Sequence, residues 1–195
     1  MKTCRVVWCG TSITAENHEP GNGYASLIAA ATTINSQNIA VPSSTCDSGG
    51  QLASANALYD ATKEVNVCWV EFGVNDGLTK TSTQFLSDLA TFVAGLNAGF
   101  TVMTATMLPC GSYGGAQAFR EAINPAIVAN AGSIYGDYIV NIGSTSTTMG
   151  AEAAKNDGSL YSDTVHPTVA GYALLKPEIQ RVLELFTLSL SSRNV

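Results

Sequence analysis

Residues 67–72 read VCWVEF and form the most apolar run of this 195-residue chain. Strand-forming residues at consecutive positions, without polar alternation, indicate a strand that is covered on both faces. Such strands belong to parallel sheets, in which helices connect one strand to the next and cover the sheet. The run is followed at residues 73–77 by GVNDG, a turn sequence. It therefore predicts a central strand that ends at residue 72.

The rest of the chain alternates between apolar β-rich runs and stretches with helical spacing. Predicted strands cover residues 5–9, 38–41, 65–72, 100–107 and 138–142. Predicted helices cover residues 24–34, 51–61, 83–97, 116–131 and 169–188. This alternation predicts an α/β fold, a three-layer α/β/α sandwich of about five parallel strands. Pro125 and Pro177 are expected to kink or break the helices that contain them.

Length and composition predict one domain and exclude several classes of partner. We expect residues 1–188 to form a single domain and residues 189–195 to be a frayed tail. Nine Lys and Arg against 15 Asp and Glu give a net charge of −6. A nucleic-acid partner is not expected, because no cations are in excess to neutralise phosphates. No apolar run approaches the roughly 20 residues of a membrane span, so stable membrane insertion is not expected.

The N-terminal residues do not resemble a signal peptide, because Arg5 interrupts a short β-branched run. We therefore expect a cytoplasmic protein, or one exported or carried on a virion without an encoded signal. The sequence leaves the oligomeric state open.

The five cysteines are an odd number and include no C-x-x-C pair, which argues against a zinc knuckle or a complete disulfide framework. We expect them to be buried small apolar residues, while a pairing among Cys9, Cys46 and Cys110 remains open.

Candidate catalytic residues follow the predicted strands, where parallel sheets place their chemistry. Ser12 follows the first strand within Gly10-Thr11-Ser12, on a tight turn that could expose a nucleophilic hydroxyl or only cap a helix. His166 stands three residues after Asp163 in DTVHP, and Pro167 disfavours a helix there. Such a loop lets the carboxylate meet one imidazole nitrogen and leaves the other free to take a proton.

Candidate oxyanion donors follow two other strands. Asn75, after the central strand, could offer its side-chain amide to a developing negative charge or be an ordinary turn residue. Gly49 and Gly50, before a predicted helix, could turn backbone N–H groups towards a ligand or form a simple loop. For Glu71 we expect a structural role, and for His18 a solvated position at the rim.

These four blocks together resemble the SGNH hydrolase superfamily, the GDSL-type esterases, over residues 5 to about 185. Ser12 matches the first block, Gly49 the second, Asn75 of Gly-x-Asn-Asp the third, and Asp163-x-x-His166-Pro the fourth. The family has a flavodoxin-like fold. One departure is Thr11, where the family usually has Asp before the serine.

The resemblance implies a role for each of these residues. Ser12 is expected to be the acyl-accepting nucleophile, His166 the general base and then the acid, and Asp163 the group that orients His166. The backbone N–H groups of Ser12 and Gly49 and the side chain of Asn75 are expected to form the oxyanion hole.

The sequence thus predicts a serine esterase that acts on a small-molecule or glycan ester. Acetyl esters of a carbohydrate are the expected substrate, because the loops are polar. Expected substrate-binding residues are Thr11, Gly50, Asp76 and Tyr113. No cofactor and no metal are expected, since the sequence carries no P-loop, no dinucleotide fingerprint and no cluster of ligands.

Two alternatives remain open. The first is a lysophospholipase or acyl-thioesterase, which would need an apolar trough, from residues such as Leu108, Tyr113, Tyr135 and Tyr161. The second is a non-catalytic carbohydrate-binding module of the same fold.

Overall fold

A parallel five-stranded sheet with the order β2-β1-β3-β4-β5 forms the centre of the molecule. The structure is a computed structural model, and it describes residues 3–32 and 34–187. The strands are β1 (Cys4–Gly10), β2 (Asn35–Asn38), β3 (Val65–Glu71), β4 (Phe100–Ala105) and β5 (Tyr138–Val140). The helices are α1 (Tyr24–Ala31), α2 (Gln51–Ala57), α3 (Ser82–Gly95), α4 (Ala116–Ala129) and α5 (Val169–Thr187). Two 3-10 turns, Asp76–Leu78 and Glu152–Asn156, complete the set.

Helices α1 and α5 pack against each other, as do α3 and α4, in the three-layer α/β/α arrangement. The predicted fold class is therefore confirmed, and the strand order is the flavodoxin-like one. The predicted frayed tail, residues 189–195, lies outside the described residues. No described helix combines the length and the apolar character that crossing a membrane requires.

The position predicted for the second strand is wrong. The strand comprises Asn35–Asn38, a polar and mostly exposed segment, instead of residues 38–41. It pairs in parallel with β1 at the sheet edge, and Trp8 Nε1 donates a hydrogen bond of 2.7 Å to Ser36 Oγ. An edge strand is held by backbone pairing and needs no apolar side chains, so hydrophobicity misplaced it.

The predicted helix break at proline is also wrong. Helix α4 continues through Pro125 and α5 through Pro177. A proline removes one backbone hydrogen bond, but a buried apolar stripe on each side holds the helix to the sheet. In α4 this stripe comprises Phe119, Ile123 and Ile127.

A buried aromatic cluster covers one face of the sheet beneath the end of β1. Trp8 and Trp69 are register partners on β1 and β3, with ring centroids 5.6 Å apart. Tyr24 of α1 packs on both rings and also meets Tyr172 of α5. Pairs of this kind contribute about 0.5–1.5 kcal/mol each beyond their burial. The cluster ties α1 and α5 to the two strands that precede the candidate site.

All five cysteines are buried and free. The closest described pair is Cys9 and Cys68 on neighbouring strands, whose sulfurs lie 3.8 Å apart and are not bonded. The cysteines therefore pack as small apolar side chains, as expected.

Candidate active site

The predicted catalytic residues meet at the carboxyl edge of the sheet. Ser12 follows β1, and Asp163 and His166 lie in the loop before α5. Ser12 Oγ lies 2.8 Å from His166 Nε2. His166 Nδ1 lies 2.8 Å from Asp163 Oδ2 and 3.0 Å from Oδ1. These distances form one continuous line of hydrogen bonds between residues more than 150 positions apart in sequence.

The loop that carries Asp163 and His166 is closed like a hairpin. Ser162 N–H donates to His166 O at 2.8 Å, and Tyr161 forms an isolated antiparallel bridge with Pro167. Thr164 at the tip has a φ of 65°, a left-handed conformation that lets the chain reverse there. The reversal directs the carboxylate and the imidazole towards each other.

Asp163 holds both the ring and the backbone of its partner. Its Oδ1 accepts hydrogen bonds from His166 N at 2.8 Å and from Val165 N at 3.1 Å. Partial burial acts to raise the pKa of Asp163, but the hydrogen bonds from His166 and Val165 outweigh it, so the pKa is lowered. An ionised Asp163 favours the imidazole tautomer with its proton on Nδ1, which leaves Nε2 able to accept the proton of Ser12.

The candidate oxyanion donors come from three loops. The N–H groups of Ser12, Gly49 and Gly50 donate to no described residue. Asn75 donates one amide hydrogen to Ser44 O at 3.0 Å, and a primary amide has a second hydrogen to give. Gly49 and Gly50 have φ values of 77° and 66°, which L side chains rarely adopt. Both glycine N–H groups therefore remain candidates for the second donor.

Thr11 and Asp76 do not reach a substrate, because both are fully buried. Thr11 Oγ1 donates to Glu71 Oε2 at 2.8 Å. Asp76 accepts hydrogen bonds from Cys46 N at 2.9 Å and from Gly73 N at 3.1 Å. Burial raises the pKa of Asp76, and these hydrogen bonds oppose the rise. Both residues hold loops of the site together, which corrects their predicted role in substrate binding.

Tyr113 is turned inwards and is partly buried. Its hydroxyl occupies the space that a Cβ at Gly77 would fill, and no described residue offers it a hydrogen bond. The ring packs against the core. The structure therefore favours a packing role for Tyr113 over the substrate-binding role expected from the sequence.

His18, which is predicted to be a solvated or rim residue, is exposed, and it also lies against the predicted general base His166. Its ring stacks on His166 with centroids 3.8 Å apart and planes 9° from parallel. Its Nδ1 lies 3.7 Å from Asp163 Oδ2. Only the folded turn after Ser12 brings His18 there, so sequence spacing carries no signal for it.

Among the described residues, one set of His, Cys, Asp and Glu side chains is close enough to share a metal ion, and it comprises His18, Asp163 and His166. Their ligand atoms lie within 4.8 Å of one another. However, the 2.8 Å separation of His166 Nδ1 from Asp163 Oδ2 is a hydrogen-bond distance, and the lone pairs of two stacked rings lie in parallel planes that do not converge on one point. The arrangement therefore suits proton transfer better than chelation.

Glu71, at the end of β3, lies beneath the turn that carries Ser12. Its Oε2 accepts hydrogen bonds from Thr11 N at 3.3 Å, Thr11 Oγ1 at 2.8 Å and Thr14 Oγ1 at 3.0 Å. Burial raises the pKa of Glu71 to about 7, although these hydrogen bonds act to lower it. Glu71 thus supports the turn from below, in agreement with the structural role predicted for it.

The family model described as GDSL-like Lipase/Acylhydrolase family matches residues 9–174. No curated protein sequence matches the chain.

Several solved structures share the fold. A member of the lipolytic G-D-S-L family from Veillonella parvula has a TM-score of 0.77 and 19% identity, covering 92% of this chain and 98% of that chain. A psychrotrophic esterase from Pseudoalteromonas has a TM-score of 0.64 and 16% identity, covering 94% and 98%. An acetyl-xylooligosaccharide esterase from Geobacillus has a TM-score of 0.66 and 15% identity, covering 93% and 95%.

Proposed function

Because the chain belongs to the GDSL-like lipase/acylhydrolase family, we propose that it is a serine esterase that removes short acyl groups, above all acetyl, from carbohydrate hydroxyls. The observation that carries the proposal is the hydrogen-bonded line from Ser12 Oγ through the imidazole of His166 to Asp163. This geometry matches a nucleophile, a general base and an orienting carboxylate.

In the proposed reaction, Ser12 Oγ attacks the ester carbonyl while His166 Nε2 takes its proton. The tetrahedral oxyanion accepts hydrogen bonds from Ser12 N–H, from Gly49 N–H and from the side chain of Asn75. Collapse breaks the ester bond, and His166 returns the proton to the leaving alcohol. Water then attacks the acyl-Ser12 ester while His166 Nε2 takes a proton from it. The bond from the acyl carbon to Ser12 Oγ breaks, His166 returns the proton to Ser12 Oγ, and the carboxylic acid leaves. Asp163 stays ionised throughout and stabilises the imidazolium.

Two observations support a short acyl group on a sugar. Three of the four residues considered for an apolar trough, Leu108, Tyr135 and Tyr161, are buried in the core and offer no surface to a long acyl chain. Among the structural neighbours is the acetyl-xylooligosaccharide esterase described above. The long-chain alternative and the non-catalytic module are therefore less well supported.

The test is hydrolysis of p-nitrophenyl esters from acetyl to decanoyl by the wild-type protein and by Ser12→Ala. We expect the rate to be highest for acetyl and to fall by at least about 10³-fold in Ser12→Ala. Ser112→Ala, which changes an exposed serine in the loop after β4, is the control and should keep the wild-type rate.

A second assay identifies the alcohol. Acetate should be released faster from acetylated xylo-oligosaccharides than from acetylated phospholipid analogues when the two are compared at equal acetyl concentration.

In the p-nitrophenyl ester series, an optimum at octanoyl or decanoyl would instead favour the lysophospholipase alternative. Equal rates from wild type and Ser12→Ala would show that Ser12 is not the nucleophile.

A further inference from the structure

The side-chain carboxamide of Gln51, the first residue of α2, forms two hydrogen bonds with the backbone of Gly10 at the end of β1, and this pair of bonds is called the Gln51 clamp. The Gln51 side chain is 1% exposed. Gly10 N–H donates to Gln51 Oε1 at 2.7 Å, and Gln51 Nε2 donates to Gly10 O at 3.0 Å. The carboxamide therefore satisfies both polar groups of one residue at the end of β1. No catalytic role proposed above uses Gln51.

The Gln51 clamp connects the two loops that carry the proposed oxyanion donors Ser12 N–H and Gly49 N–H. Gly10 precedes Ser12 by two residues, and Gln51 follows Gly49 by two residues. The two loops come from different strands, so their separation depends on contacts between them. One side chain that bridges them limits how far the N–H groups of Ser12 and Gly49 can move relative to each other.

The side-chain carboxamide of Gln51 is also connected by hydrogen bonds to the third proposed donor, the side-chain amide of Asn75. Gln51 Nε2 donates its other hydrogen to Ser44 Oγ at 2.8 Å, and Ser44 Oγ donates to Gly10 O at 3.2 Å. The backbone carbonyl of Ser44 accepts the hydrogen bond from Asn75 Nδ2. Gln51 is thus connected to the Asn75 amide through one intervening residue.

We infer that Gln51 is a positioning residue for the oxyanion hole, holding the loops of Ser12, Gly49 and Asn75 in register. The inference rests on the proposed function. An oxyanion hole stabilises the transition state only if its donors are in place before charge develops, and small displacements of such donors weaken it. Gln51 acts through these donors and touches no reacting atom.

The test compares Gln51→Leu with Asn66→Leu on acetyl ester hydrolysis. Asn66 is a matched control because it clamps Asp60 in the same way, with bonds of 3.1 Å from Asp60 N and 2.9 Å to Asp60 O. It is also buried, but it lies at the opposite, amino end of the sheet. Each variant loses one buried pair of side-chain-to-backbone hydrogen bonds, but only the pair lost in Gln51→Leu lies beside the proposed site.

We expect Gln51→Leu to lower kcat by about 10²-fold, as removal of an oxyanion donor does, with KM changed less than about threefold. A boronic acid inhibitor, which forms a tetrahedral adduct with Ser12 Oγ, should bind this variant more weakly than wild type by a similar factor. Asn66→Leu should keep the wild-type kcat even if its unfolding midpoint in urea falls as far.

Ser44→Ala keeps both Gln51–Gly10 hydrogen bonds and the Ser44 carbonyl that accepts from Asn75, and it removes the Ser44 Oγ bonds to Gln51 Nε2 and Gly10 O. We expect kcat to fall about 3- to 10-fold with KM unchanged. If Gln51→Leu does not fold, Ser44→Ala tests the inference in its place, and an unchanged kcat in Ser44→Ala overturns it. Equal losses of kcat in Gln51→Leu and Asn66→Leu also overturn it, since the effect would then follow stability alone.

The wild-type protein separates this inference from the proposed function. If wild type hydrolyses acetyl esters and Ser12→Ala does not, but Gln51→Leu retains full kcat, only the positioning role fails. If wild type hydrolyses no ester, the proposed function fails and the role of Gln51 fails with it.

Discussion

A single carboxylate, Asp163, determines which nitrogen of His166 can accept a proton. It accepts from the backbone N–H of His166 and from the ring Nδ1 at once. The first bond sets where the loop folds, and the second sets the tautomer. The nearby ring of His18 restricts the space into which His166 could rotate. The geometry at residue scale therefore leaves Nε2 directed at Ser12.

At this scale we predict that Asp163→Asn lowers kcat for acetyl esters by about 10³–10⁴-fold. The asparagine oxygen can still accept the backbone bonds, but its amide would donate to Nδ1 and move the imidazole proton to Nε2. Steady-state kinetics measures the effect. Asp157→Asn, in an exposed turn where the carboxylate binds only Ser159, should leave kcat unchanged. A loss below tenfold in Asp163→Asn would contradict the tautomer argument.

At the scale of secondary structure, local sequence signals set α3 most clearly. Thr81 Oγ1 accepts a hydrogen bond from Gln84 N–H, and Gln84 Oε1 accepts one from Thr81 N–H, which together form a capping box. Phe85, Leu89 and Phe92 then form the buried stripe of the helix. The helix follows Asn75 after the short 3-10 turn Asp76–Leu78, so its start also determines where the segment after Asn75 ends.

We predict that Thr81→Ala lowers the free energy of unfolding by about 1 kcal/mol, because the first turn loses its cap. Urea unfolding followed by circular dichroism measures it. Thr83→Ala is the matched control: this exposed threonine lies in the same turn and caps nothing, so its removal should be neutral or slightly stabilising. Equal destabilisation by the two changes would show that the capping box contributes nothing.

At the scale of the whole molecule, the end of β3 places an ionisable group inside the core. Glu71 is 1% exposed, and it lies between the turn that carries Ser12 and the aromatic cluster around Trp69. Its register partner on β1 is Gly10, the residue that Gln51 clamps. Global stability is therefore coupled to pH through a residue that also supports the candidate site.

We predict that wild type loses free energy of unfolding relative to Glu71→Gln as the pH rises from about 4.5 to about 7. The folded state raises the pKa of Glu71 from 4.5 to about 7, so across this range the unfolded chain releases a proton that the native state keeps. Wild type thus loses stability relative to the variant, by up to about 3 kcal/mol at about 1.4 kcal/mol per pKa unit. Urea unfolding at pH 4, 5.5 and 8 measures the difference, and a value independent of pH would contradict it.

The sequence by itself determined the fold class, the order of elements and the blocks that hold the candidate triad. Periodicity is a local property, and residues that follow parallel strands must gather at one sheet edge, whichever side chains surround them. Ser12 and Asn75 could therefore be placed at that edge from sequence, whereas Asp163 and His166, which lie well beyond β5, were selected by their Asp-x-x-His-Pro motif and by the resemblance it carries.

Only the tertiary structure decided the second strand, the stacking of His18, the burial of Asp76 and the clamp by Gln51. Each depends on contacts between segments far apart in the chain: Asn35–Asn38 is a strand because β1 offers it an edge, and Gln51 matters because Gly10 lies beside it. Such partners are set by how loops and edges pack in three dimensions. Hydrophobic spacing carries no record of that packing, because the residues involved are polar and their partners are remote.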